Sequence, residues 1–64
     1  MQITVTEEME VLIRMIESQR RTLAQAQDRN EGREVTDALV FSLRETQAEL
    51  ADVITETYRH QVRV

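Results

Sequence analysis

The stretch Gln27-Asp28-Arg29-Asn30-Glu31-Gly32 divides this 64-residue chain into two halves that both read as helices. It is polar throughout and ends in the only glycine of a chain without proline. Glycine takes up a left-handed backbone without steric cost, so Gly32 is expected to close the first helix as its C-cap. The charges on either side agree with that division. Glu7, Glu8 and Glu10 open the first block and Arg29 closes it; Glu34 and Asp37 open the second, and Arg59, His60 and Arg63 close it. Acids at the start and cations at the end complement the dipole of a helix.

Outward from the turn, apolar residues keep helical time. In the first half they run Met9, Leu12, Ile16, Leu23, Ala26, with Gln19 in the gap, which is an a/d heptad with one polar layer. Val11, Ile13 and Met15 add apolar surface on both sides of that seam. In the second half the seam reads Leu39, Leu43, Thr46, Leu50, Val53, Thr57, flanked by Val40, Gln47, Ile54 and Tyr58. Residues 1–5 alternate polar and apolar and read as a short strand or an extended lead-in. Thr4 or Thr6 can cap the first helix, and Thr4 with Glu7 has the capping-box spacing. The expected architecture is all-α: a single helical-hairpin domain with helices over 6–28 and 34–61 and a turn over 29–33. The hairpin is antiparallel, and its natural completion is a homodimeric four-helix bundle with coiled-coil packing.

Size argues for that completion. A core in so short a chain rarely supplies more than ~3–5 kcal/mol, so small folds recruit a disulfide, a metal or a partner chain. Cysteine is absent and His60 is the only histidine, which leaves association. The dimer interface is expected to use Val11, Ile13, Met15, Val40 and Ile54. Twelve acids face eight arginines, for a net charge of −4 with no basic arm, so nonspecific phosphate binding is not favoured. The longest apolar run, Ala38 to Phe41, is too short for a membrane span, and a soluble cytoplasmic protein is expected.

Two features point to a partner. Glu45, Glu49, Asp52 and Glu56 recur at steps of four, three and four, and so share one ridge of the second helix. They read as a docking strip for a basic partner, or else as a solvated face or ion pairs across a dimer. Phe41 lies about 200° round the helix from Leu39, away from the seam, as a second packing surface or a partner-binding patch would require. Catalysis is not expected, because one histidine has no nucleophile and orienting group to work with. Neither is a cofactor or a metal, although Glu56 and His60 are four apart.

Arg20, Arg21, Arg29 and Arg33 gather toward the turn and are the candidate contacts for a nucleic-acid backbone. Two resemblances bear on that alternative. The segment from Gly32 to Leu43 resembles the second helix of ribbon-helix-helix repressors, which implies a DNA-binding ribbon over residues 2–6, with Gln2, Thr4 and Thr6 toward the groove and Ile3 and Val5 inward. The overall plan, with Ile16, Ser18-Gln19, Ser42-Leu43 and Ala48-Glu49-Leu50, also resembles Rop-like RNA-binding hairpins, which dimerise as four-helix bundles. The leading reading rests on neither. It is a small, noncatalytic interaction or regulatory protein that dimerises and binds another protein through Phe41, Glu45, Glu49, Asp52 and Glu56.

Overall fold

The first turn of the chain's first helix is closed by Thr6. Its backbone is extended (φ −93°, ψ 165°), and its hydroxyl accepts a hydrogen bond from the Met9 amide at 3.3 Å. That satisfies one of the four amide donors that a helix start leaves without a carbonyl. With Thr6 as the cap the third helical residue is Met9, so the Thr4–Glu7 capping box does not form. The computed structural model describes residues 4–62. Helix α1 spans Glu7–Asp28 and helix α2 spans Arg33–Gln61, packed as a hairpin, with no strand among the described residues. Met1, Gln2 and Ile3, on which most of the strand or ribbon expectation falls, lie outside the described residues, as do Arg63 and Val64.

The turn departs from the sequence expectation. Asn30, not Gly32, holds the left-handed position, with φ 54°. Around it the Glu31 amide donates to the Ala26 carbonyl at 3.0 Å and the Asn30 amide to the Gln27 carbonyl at 3.1 Å. Those crossed bonds form a Schellman cap, and asparagine tolerates the left-handed backbone because its short polar side chain bonds locally. Arg29 is therefore the C-cap residue, beyond the last helical turn. Gly32 instead caps the start of α2 in an ordinary extended conformation (φ −56°, ψ 156°), without a side chain to offer. Its carbonyl accepts from the amides of Val35 at 3.0 Å and Thr36 at 3.2 Å.

Between the helices the seam follows the heptads. Met9, Leu12, Ile16, Gln19, Leu23 and Ala26 of α1 meet Thr36, Leu39, Leu43, Thr46, Leu50, Val53 and Thr57 of α2, all buried or half-buried. Among the described residues, deep burial is confined to Met9 (3% exposed), Leu12 (5%), Ala26 (3%) and Thr46 (6%). Helix α2 is seven residues longer than α1 (29 against 22), so it overhangs the open end of the hairpin by about 10 Å at 1.5 Å per residue.

Two rods side by side make a poor sphere. The molecule measures 50 × 17 × 15 Å, with a radius of gyration of 14.9 Å. A compact domain of this length would have a radius near ~11 Å. The accessible surface is 5409 Å². A compact monomer of the same mass exposes roughly 4,200 Å², so the hairpin leaves roughly 1,200 Å² more in water. Val11, Ile13, Met15, Val35, Phe41, Ile54 and Tyr58 are among the large apolar side chains left exposed. No helix among the described residues is long and apolar enough to cross a membrane.

Candidate interaction surfaces

The heptads sort the residues beside the seam onto two flanks. Counting Met9, Ile16 and Leu23 as a positions of α1, and Leu43, Leu50 and Thr57 as a positions of α2, the e positions follow the a positions and the g positions precede them. The helices run in opposite directions, so both sets of e positions fall on one flank and both sets of g positions on the other. Glu8, a g residue of α1, lines a cleft with Asp52, Val53, Glu56, Thr57 and His60 of α2, which puts both g rows on the same side.

The g flank is acidic. Glu45, Glu49, Asp52 and Glu56 form its α2 edge, and Glu8 adds a fifth carboxylate across the cleft, whose volume is about 330 Å³. Glu56 has company, with the Arg59 guanidinium at 3.3 Å and the His60 ring at 3.9 Å. Glu45, Glu49 and Asp52 form no ion pair among the described residues. The cause lies in α1: its residues on this flank include Val11, Met15, Ser18, Thr22 and Gln25, none of them cationic. From Glu45 to Glu56 the ridge covers eleven residue steps, about 16 Å of helix. Spacing along the chain does not reveal Glu8 as a member of this row, because it belongs to the other helix and only a hairpin register brings it over.

The e flank is different. Ile13 of α1 and Val40 and Ile54 of α2 lie on it, with Tyr58 just outside. Its charges are mixed: Glu10, Glu17 and Asp37 against Arg20 and Arg44. The five expected dimer contacts are thereby divided, with Ile13, Val40 and Ile54 on the e flank and Val11 and Met15 on the acidic one.

Phe41 sits on the back of α2, 64% exposed. It borders Glu45, one turn on, at one end of the acidic ridge. On its other side it shares a shallow cleft of about 320 Å³ with Asp37, Val40 and Arg44. Phe41 therefore stands between the two flanks and is accessible from both.

The four arginines named for nucleic acid do not make one face. Arg20 and Arg21 border a cleft with Glu17 and Ala24 on α1 alone. Arg29 is at the turn, about 12 Å farther along the axis than Arg21. Arg33 faces Asp37 at 3.6 Å, both side chains largely in solvent. Carboxylates therefore stand beside three of the four. Glu56 and His60 do approach each other, but no group of three or more potential metal ligands occurs among the described residues.

No family model matches this chain, and no curated protein or solved structure matches it significantly.

Proposed function

We propose that this hairpin is a noncatalytic interaction module that associates with a second copy into a four-helix bundle and binds a protein partner on the outer face of α2. The contact residues are Phe41, Glu45, Glu49, Asp52 and Glu56. The observation that carries the reading is surface: 5409 Å² is exposed, where a compact chain of this mass leaves roughly 4,200 Å². A stable interface takes about 800 Å² from each partner, so the surplus accommodates one with area to spare. The row of carboxylates that α1 leaves unanswered supports the choice of face. Among the described residues Glu45, Glu49 and Asp52 meet no cation, and an arginine- or lysine-rich segment supplies what they lack. Phe41 at the edge of that row adds the kind of aromatic anchor that dominates binding energy at interfaces.

Affinity capture with wild type, Phe41→Ala and the double variant Glu49→Lys/Asp52→Lys tests the partner face. Proteins retained by wild type and lost by both variants are expected. An identical retained set from all three removes this face from consideration. A parallel titration with labelled duplex DNA and hairpin RNA at low salt decides the nucleic-acid alternative: binding that Arg20→Ala/Arg21→Ala abolishes would replace the protein-partner reading.

A further inference from the structure

We infer that the e flank, with Ile13, Val40, Ile54 and Tyr58, is where a second copy of this chain docks, and that the acidic g flank stays outside that contact. The inference rests on the proposed self-association and adds which side of the hairpin performs it. A twofold interface is made by one patch meeting itself, so the patch must be complementary to its own copy. On the g flank that condition fails. Two copies meeting there would bring together two sets of Glu8, Glu45, Glu49, Asp52 and Glu56, ten carboxylates in a surface being stripped of water, with Arg59 the only nearby arginine in each copy among the described residues. Like charges at an interface are strongly unfavourable. The e flank satisfies the condition, because Arg20 and Arg44 can answer Glu10 and Glu17 of the other copy while the aliphatic groups meet.

Burial points the same way. Val40 is half-buried, and Ile13, Ile54 and Tyr58 are each only partly covered by the hairpin. Adding e positions to an a/d seam widens it to the stripe that a helix in a four-helix bundle presents to its core. On the g flank the same widening would bury Glu49 and Glu56. Dimerisation through the e flank also leaves the acidic ridge facing water, free for the protein partner.

Sedimentation equilibrium tests the assignment. Wild type is expected near 15 kDa, twice the 7.5 kDa chain mass. Ile54→Arg and Val40→Arg are expected to weaken the dimer at least a hundredfold, and Met15→Arg and Val11→Arg less than threefold. Thiol reactivity covers the case in which an arginine variant unfolds. The chain has no cysteine of its own, so Gln47→Cys reports on the e flank and Ser18→Cys on the other. Gln47→Cys should become at least tenfold more reactive on dilution from dimer to monomer, while Ser18→Cys stays unchanged. A dimer that protects Ser18→Cys instead, or that only Met15→Arg and Val11→Arg disrupt, overturns the flank assignment while leaving self-association intact. A wild-type chain that sediments as a 7.5 kDa monomer at millimolar concentration removes self-association itself, and this inference with it.

Discussion

The side-chain amide of Gln19 on α1 donates to the main-chain carbonyl of Ser42 on α2, at 3.5 Å. The same carbonyl accepts the Thr46 hydroxyl at 3.1 Å. Gln19 thus reaches an acceptor already in use, at the long limit of hydrogen-bonding distance, and its own Oε1 is buried without a partner. A polar layer of this kind holds two helices in register at a cost in stability.

Gln19→Leu removes the orphaned acceptor and fills the layer with apolar volume. Because a buried polar atom without a partner costs about 1–3 kcal/mol, the variant is expected to gain roughly 1 kcal/mol after the weak bond to Ser42 is lost. Urea unfolding followed by circular dichroism, at fixed protein concentration, measures it. A loss of stability would mean that the amide contributes more than its geometry suggests.

The turn separates Asn30 from Gly32. Asn30→Ala forces a β-carbon without a polar group into the left-handed position and should cost about 1–2 kcal/mol. Gly32→Ser should instead gain about 0.5–1 kcal/mol, through a less flexible unfolded chain and a hydroxyl able to cap α2. A β-carbon at Gly32 meets nothing within 4 Å, so no clash offsets the gain. Equal destabilisation in the two thermal melts would contradict this description of the turn.

Thr6→Ala deletes the hydroxyl that caps the Met9 amide. A loss of about 1 kcal/mol is expected, with Thr6→Ser close to wild type. Hydrogen exchange at the amides of the first turn of α1 should accelerate in the alanine variant and leave the middle of the helix unchanged.

Repulsion along the acidic ridge should be visible as a dependence on salt. Raising sodium chloride from about 0.02 M to about 0.5 M shortens the screening length and should raise the melting temperature of wild type. Neutralising the middle of the ridge with Glu49→Gln/Asp52→Asn should add a few tenths of a kcal/mol at low salt and flatten the response. An equally steep response in that variant would locate the salt-sensitive repulsion elsewhere.

Two helices and a hairpin were legible because they depend on local periodicity. Met9, Leu12 and Ile16 on one rod and Leu43, Leu50 and Val53 on the other recur at steps that only a helix turns into one face, and a polar break separates them. Composition alone puts the left-handed cap two residues too late, for an equally local reason. Glycine is the stronger prior for a left-handed residue, but the crossed hydrogen bonds close where Ala26 and Gln27 present their carbonyls, and that position belongs to Asn30.

Sidedness is another matter. The ridge Glu45–Glu49–Asp52–Glu56 could be traced on one helix from spacing alone, since residues three and four apart share a face whatever lies opposite. That Glu8 joins it, that α1 brings no cation to meet it, and that Ile13 parts company with Met15 all required the two rods to be set antiparallel in a definite register. Periodicity along a strand of residues determines which groups one helix turns outward; it takes the packing of two helices to decide which of those groups become neighbours, because that distance runs through space rather than along the chain.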